Sequence, residues 1–419
     1  MYDVKLEVVE WDIGVLVPHP TNARTHPRRQ IEQLKASIRR HDFVNPILID
    51  ENGIIIAGHG RVQAARELGM TRVPAIVLRH LSEAQKRALR LADNKISLNS
   101  SWDPDLLRIE LAELSAMEIE IDFNDLGFSE GEVNVILDPG ADPDDEVIPA
   151  LPTQPKTQLG DIWQLGDHRI GCGDGRDLAF VQQVLGNGIQ ADCAFLDAPY
   201  NVKIQGHANV KSKHREFAMA SGEMTDSGFR DFLADTFGVC VKLSRDGAVH
   251  FLCMDWRHAD DVSAVAKVLY GEQLNLCIWN KSNAGMGSLY RSKHELVFVY
   301  RVGDVPHLNT VELGRHGRNR TNVWDYASVN TFKGTRDDLD LHPTVKPVAM
   351  VADAIQDVTR RGDVVLDIFL GSGTTLIASE RTGRRFRGLD IDPAYVDLAV
   401  DRWVAMTNGT PRLLKGWDI

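Results

Sequence analysis

Two short segments hold residue types whose spacing could do chemistry, Asp197-Ala-Pro-Tyr-Asn201 and Asp367-Ile-Phe-Leu-Gly-Ser-Gly-Thr-Thr375, and each directly follows an apolar run of strand length. The first presents a carboxylate, a carbonyl held extended because proline follows it, and an aromatic face. Those are the parts needed to grip a flat amine. An exocyclic amino group on a nucleobase is a poor nucleophile because its lone pair is delocalised into the ring. Two acceptors aimed at its N–H bonds favour a lone pair localised on nitrogen, which can attack an electrophilic methyl group in line. Tyr200 can stack on the base at about 1 to 3 kcal/mol, by analogy with single-strand stacking platforms. Taken singly, Asp197 suits a turn or cap equally well, and Tyr200 a core aromatic.

In the second segment the apolar run Val364 to Ile368 leads into Gly371 and Gly373 and then a helix, so backbone N–H groups can approach a bound cofactor closely. Asp390, at the end of the next expected strand, can accept from a ribose diol, an arrangement that suits an adenosine. A lone G-x-G also fits a structural tight turn, and Asp390 by itself fits a helix cap before Pro393. In open α/β sheets ligands bind beyond the carboxyl ends of strands, so both segments are expected to face one crevice.

The elements that must position these residues follow from periodicity. From about residue 158 strands alternate with helices, the pattern of a mostly parallel sheet covered on both faces. Expected strands are Asp192 to Leu196, Ala248 to Cys253, Leu274 to Trp279, Glu295 to Tyr300, Val364 to Ile368 and Phe386 to Leu389. Phe229, Phe232, Leu233, Thr236, Phe237 and Cys240 mark one helical face, and Val351, Ala354, Ile355 and Val358 another. Residues 1–98 read as a smaller α/β unit. Ile31, Leu34 and Ile38 share a helical face, strands at 46–50 and 54–57 flank the Asn52-Gly53 turn, and a helix, a strand and a third helix follow to about 92. Residues 99–157 are an acidic helical segment and linker, in which Asp138 to Glu146 and Pro149 to Pro155 are expected to be exposed.

Length and composition are consistent with this. At roughly 100 to 200 residues per domain, 419 residues give two to three folding units. No apolar run approaches the ~18 residues of a membrane span, and the charged first dozen residues lack a secretory core. Five scattered cysteines without a C-x-x-C pair argue against a zinc site or a disulfide framework, and each is expected to be a buried apolar side chain. The expectation is a cytoplasmic protein with no membrane partner and no metal, with self-association left open. The net charge of −12 is concentrated in residues 96–150, which hold fifteen acids and one base, while residues 281–336 carry nine bases and four acids. A locally positive surface therefore remains available for nucleic acid.

The Asp197 to Asn201 segment resembles the catalytic motif of amino-group DNA methyltransferases, and Phe369 to Thr375 resembles their S-adenosylmethionine loop. With the catalytic motif first, then a variable region, then His342-Pro-Thr-Val-Lys-Pro347 and the cofactor loop, the order is similar to the beta class. Trp279-Asn-Lys281, Lys293 to Arg301 and Gly388 to Tyr395 also resemble family segments, so the likeness covers about 160–405. It implies a Rossmann-like S-adenosylmethionine-dependent methyltransferase fold with permuted motif order over 158–419. By this resemblance Asp197 and the Ala198 carbonyl, followed by Pro199, accept from the target amine while Tyr200 stacks on a flipped base. Asp367, Phe369, Gly371, Gly373 and Thr374 line the cofactor, Asp390 binds its ribose, Asp174 lies near its adenine, and Lys346 sits in a cofactor-side motif. Ala198 departs from the family's usual proline. An amine inside a stacked duplex cannot meet the methyl donor in line, so the base must be extruded. Residues 302–341, with Arg315, Arg318, Arg320, Lys333 and Arg336, are the candidate target-recognition and phosphate-contact region on double-stranded DNA.

The N-terminal unit has its own likeness. Pro18 to Arg24, Gln33 to Ile38, Asn45 to Ile47 and Ala57-Gly-His-Gly-Arg-Val-Gln-Ala-Ala65 resemble the N-terminal domain of ParB-like proteins. In that family the Gly-x-x-Arg turn contacts nucleotide phosphates, which places Gly58 and Arg61 as nucleotide candidates. A glycine followed by an arginine at a helix start suits an anion. His59-Gly60 departs from the commoner Glu-Arg, so docking of a protein or DNA is the first expectation for this unit and nucleotide binding the alternative. The whole chain is expected to methylate adenine N6, with cytosine N4 and a non-catalytic DNA-binding adaptor as alternatives. A nicotinamide dehydrogenase would leave the Asp-Ala-Pro-Tyr segment unexplained.

Overall fold

The computed structural model describes residues 6–20, 22, 24–97, 99–100, 102–117, 122–137, 142–201, 222–282, 284, 289–313, 315, 320–327 and 345–414. They form two compact units, Met1–Leu137 and Asp138–Ile419.

In the first unit, strands β1 (Val8–Asp12), β2 (Ile47–Ile49), β3 (Ile55–Ala57) and β4 (Arg72–Val77) form a sheet in the order β1-β4-β2-β3. The Asn52-Gly53 turn joins β2 to β3 as its sequence demands. Gly53 takes a φ of 78°, and the Asp50 carboxylate accepts from the N–H groups of Asn52 and Ile54. Helices α1 (Arg28–His41), α2 (His59–Glu67) and α3 (Glu83–Ser97) complete the unit, and Ile47, Ile49, Ile55, Val62 and Val73 pack in its core. Two further helices follow, α4 (Pro104–Ala116) and α5 (Glu130–Ile136), the latter opened by a capping box between Ser129 and Glu132.

The second unit carries strands β5 (Ile162–Leu165), β6 (His168–Cys172), β7 (Ala191–Leu196), β8 (Ser244–Met254), β9 (Glu272–Asn280), β10 (His294–Arg301), β11 (Val323–Asp325), β12 (Val364–Asp367), β13 (Arg385–Asp390) and β14 (Arg412–Leu413). Among the described residues they form one sheet in the order β11-β9-β10-β8-β7-β12-β13-β6-β5-β14. The five central strands β8, β7, β12, β13 and β6 are mutually parallel, whereas β10 runs antiparallel to both neighbours. Helices α6 (Leu178–Leu185), α7 (Asp226–Leu243), α8 (Ala259–Leu269), α9 (Val348–Gln356), α10 (Thr374–Thr382) and α11 (Pro393–Thr407) cover it. Alternation along β7 decides the layers. Ala194 and Leu196 pack with α6, α7 and α8, while Cys193 and Phe195 pack with α9 and α10. All five cysteines are buried and unbridged. No helix among the described residues is long and apolar enough to cross a membrane.

One expectation is corrected. Part of the supposed exposed linker is fastened down: Arg381 of α10 makes a two-pronged bond to the Asp145 carboxylate at 2.7 Å, and Arg402 of α11 donates to the Asp145 carbonyl. Glu146 accepts the first N–H of α9 at 2.8 Å, a favourable place for a carboxylate. The acids that read as mutually repelling are neutralised by arginines more than two hundred residues away, which no local pattern reveals.

Candidate active site

Four neighbouring parallel strands end in, or lead directly into, an aspartate at their carboxyl ends. Asp197 follows β7, Asp367 closes β12, Asp390 closes β13, and Asp174 lies two residues beyond β6. Strands β7 and β12 are adjacent, with Val365 opposite Cys193 and Leu366 opposite Ala194, so the two segments distant in sequence share one edge of the sheet.

The turn after β7 is held by its own residues. Ala198 is buried within the core, and Asn201, at a left-handed φ of 51°, donates to the Met224 carbonyl and accepts from the N–H groups of Gly222 and Met224. A side chain at 198 therefore packs against apolar neighbours, while Asn201 supplies a second anchor for the turn.

Around this turn lies a cluster of charges. The Tyr200 hydroxyl is 2.8 Å from Asp197 Oδ1 and 3.0 Å from Glu295 Oε2. The Lys346 ammonium donates to Asp197 Oδ2 at 2.6 Å and to the Tyr200 hydroxyl at 3.1 Å, and pairs with Glu295 Oε2 at 3.0 Å. Lys281, from the end of β9, bonds the other Glu295 oxygen. Burial opposes the charge on Lys346, but Asp197 and Glu295 outweigh it and hold the ammonium above its ordinary range. Burial likewise opposes ionisation of Glu295, and Lys346 and Lys281 reverse it, holding that carboxyl low. Burial and the two neighbouring carboxylates raise the Tyr200 phenol, so it stays protonated. Lys346, expected on the cofactor side, thus bonds the Asp197 carboxylate. Glu295 and Lys281 were given no role from sequence, although both lie in segments, Trp279 to Lys281 and Lys293 to Arg301, that resemble the family; the further signal was a charged residue at the start of β10 and just beyond β9.

The glycine loop sits beside this cluster. Asp367 accepts from Phe369 N at 2.9 Å and the Thr375 hydroxyl at 2.7 Å, and Asp390 accepts from Gly371 N at 2.9 Å. Burial pushes the Asp367 carboxyl up to about 7 and the Asp390 carboxyl up to about 6, with neighbouring carboxylates adding to it. Gly371 and Gly373 both take left-handed conformations but differ in surroundings. A Cβ on Gly373 would lie 2.9 Å from the Ala399 Cβ, whereas one on Gly371 would meet nothing nearer than 3.8 Å. Gly373 is thus required for the approach of α11, with Thr374 buried behind it at the start of α10, and Gly371 is the glycine with open space. Asp174 is gripped by Arg176 through bonds of 2.7 to 3.2 Å, and the Arg176 hydrogen bonds hold its carboxyl low. Arg176 lies over the Phe232 ring, which neighbours Phe369.

Two of the five candidate DNA contacts, Arg315 and Arg320, lie among the described residues. Arg320 bonds Asp353 at 2.9 Å, Asp357 at 3.0 Å and the Tyr326 hydroxyl at 2.6 Å, with Trp324 against its guanidinium, so it fastens its segment to α9 and is not a free phosphate contact. Arg315 is exposed beside Glu312. Arg318, Lys333 and Arg336 lie outside the described residues.

In the first unit, Gly58 caps α2 at a φ of 98°, and its conformation leaves no room for a Cβ, which would meet Ile47 at 2.7 Å. A cavity of about 270 Å³ lies here, lined among others by Arg24, Asn45, Gly58, His59, Arg61 and Asn94. The Arg61 guanidinium donates to the Asn45 carbonyl at 2.6 Å.

With this geometry in view, comparison with known proteins is informative. Family models match in three places: one described as DNA methylase over 191–401, one as ParB N-terminal domain over 3–95, and one as ParB-methyltransferase HTH domain over 105–159. The third was not foreseen: the helical spacing of that segment was legible, but nothing in its acidic composition marked it as a helix-turn-helix unit. The ParB-like nuclease domain-containing protein YnaK of Escherichia coli (strain K12) is 51% identical over 83 residues, 20% of this chain and 95% of that protein. The type II methyltransferase M.HpaI of Haemophilus parainfluenzae is 22% identical over 234 residues, 52% of this chain and 69% of that one. The crystal structure of an M1.HpyAVI-SAM complex aligns with a TM-score of 0.39 at 16% identity, covering 56% of this chain and 98% of that one.

Proposed function

Because the chain belongs to the DNA methylase family, we propose that it transfers a methyl group from S-adenosylmethionine to the exocyclic amine of a base extruded from double-stranded DNA, adenine N6 in preference to cytosine N4. The observation that carries this is the adjacency of β7 and β12, which sets the Asp197 to Tyr200 turn beside the glycine loop. Asp197 and the Ala198 carbonyl hold the hydrogens of the target amine, Pro199 keeps that carbonyl extended, and Tyr200 meets the base. Phe369, Gly371, Thr374 and Asp390 hold the cofactor with Asp367 and Asp174 at its edge, while Gly373 sets the loop's shape. The donor set fits a cationic ligand. Among the described residues Asp367 and Asp390 meet N–H and hydroxyl donors and form no ion pair, and their raised values mark a crevice short of positive charge. S-adenosylmethionine bound there supplies the electrophilic methyl group.

The preference for adenine rests on the acidic residue that heads the Asp-Ala-Pro-Tyr motif. Mass spectrometry of nucleosides from DNA of cells expressing the chain tests the proposal. N6-methyladenine supports it, N4-methylcytosine moves the target to the other amine, and neither product with intact cofactor binding favours a non-catalytic DNA-binding adaptor. For the first unit, the cavity over Gly58 and Arg61 favours a nucleotide, its phosphates at the start of α2. Calorimetric titration with nucleoside triphosphates tests this, and absence of binding would leave a protein or DNA docking role.

A further inference from the structure

Lys346 has no part in the chemistry above, yet it is 3% exposed and touches three of the groups nearest to it in the catalytic turn and β10. A buried ammonium is costly unless paired. Among the described residues, the titratable and charged groups facing it or its carboxylate partners come from several elements. They are Asp197 and Tyr200 after β7, Cys253 on β8, Trp279 and Lys281 at the end of β9, Glu295 on β10, and Asp367 on β12 beyond Asp197. Burial raises the Cys253 thiol, so it is neutral. Asp197 and Glu295 are therefore balanced by Lys346 and Lys281, and the Tyr200 hydroxyl lies between the two carboxylates.

The two oxygens of Asp197 are not equivalent. Oδ2 is taken by Lys346, so Oδ1 is the oxygen left to receive an amine, and at present it faces the Tyr200 hydroxyl. That hydroxyl carries one proton and has a second acceptor, Glu295 Oε2, at 3.0 Å. We propose that Lys346 is a positioning residue. Anchored by Glu295, it turns the Asp197 carboxylate so that Oδ1 faces the target amine, and Glu295 accepts the Tyr200 hydroxyl when the amine takes its place. The inference rests on the amine-methylation function argued above. It adds a division of labour in which one ammonium orients the acceptor and one buried glutamate receives the displaced hydroxyl.

The test measures single-turnover methylation against pH, with cofactor affinity by calorimetry, for the full chain and for Lys346→Met, Lys346→Arg and the double variant Lys346→Met/Glu295→Gln. Loss of the cation removes one of the charges that hold the Glu295 carboxyl low, so that group keeps its proton to higher pH. Lys346→Met is expected to lose roughly 100-fold in turnover at neutral pH, as for removal of one preorganised electrostatic group. Part of that loss should return as pH rises, with cofactor affinity unchanged. Lys346→Arg should keep the wild-type pH profile, and adding Glu295→Gln to Lys346→Met should bring the profile part of the way back. A loss in Lys346→Met that is the same at every pH, or a loss explained by weaker cofactor binding, overturns the proposal. Should the single variant fail to fold, the double variant decides alone, because a profile coincident with wild type overturns the proposal and a profile displaced to higher pH supports it. A wild-type chain that methylates no DNA would instead overturn the methyltransferase function, which separates the two failures.

Discussion

Asp390 Oδ2 accepts the N–H of Gly371 at 2.9 Å, and its other oxygen accepts from Asp392 N at the same distance. The first bond crosses from the end of β13 to the loop after β12, so the carboxylate proposed to meet a ribose diol also shapes the glycine loop. Its oxygens have lone pairs to spare for a ligand, but its charge has no nearby cation among the described residues.

That charge leads to a pH prediction. Asp367 at about 7 and Asp390 at about 6 lie above the ordinary carboxyl value. A carboxyl raised in the folded state stabilises the fold in acid, and that contribution is lost as pH climbs from its unfolded value of ~4 through the folded one. Without ligand, the melting temperature is expected to carry a component that falls between roughly pH 4 and 7. The extra stability conferred by S-adenosylmethionine should grow over the same window, as the crevice becomes anionic. Asp390→Asn should remove part of both trends; thermal melts at several pH values that leave them intact would count against the assignment.

Asp197→Asn keeps the shape of the turn but substitutes an amide for a carboxylate beside Lys346. Turnover should fall by roughly 100-fold or more, as when one preorganised electrostatic group is lost, with cofactor affinity changed only a few fold. Calorimetry alongside a methylation assay separates the two effects, and unchanged turnover would remove Asp197 from the chemistry.

The two glycines of the loop should fail differently. Gly373→Ala drives a methyl group to within 2.9 Å of the Ala399 Cβ at a left-handed φ of 83°, so a cost of about 1 to 3 kcal/mol is expected from overpacking and strain. Gly371→Ala has room for its methyl group and should pay chiefly the smaller left-handed penalty. Calorimetric melts should therefore rank Gly373→Ala as the less stable variant, and the reverse order would contradict the packing described.

Arg320→Ala leaves the half-buried carboxylates of Asp353 and Asp357 without their cation, a loss of about 1 to 3 kcal/mol, as for a partly buried acceptor left unpaired. Because the guanidinium is already engaged, the salt dependence of DNA binding should keep its slope in this variant. A shallower slope with unchanged melting temperature would restore Arg320 to the phosphate-contact set.

Much of this protein can be read along the chain. The strands around the site are legible because apolar runs of strand length end in polar residues, as at Ala191–Leu196 and Arg385–Asp390. The Asp-Ala-Pro-Tyr turn and the glycine loop are legible because proline and glycine restrict the backbone locally. The antiparallel course of β10 was not, since an apolar strand carries no mark of its direction. Nor was the burial of Asp145, because an acidic run reads as repulsive until its partners, Arg381 and Arg402, are known. Sequence by itself singled out the groups proposed to activate an amine and to cradle an adenosine, because residue type and local backbone restriction are encoded side by side. Only the tertiary structure decided that Lys346 meets Asp197 across 149 positions of chain and that Arg320 serves packing, because pairing of distant charges depends on which strands and helices become neighbours.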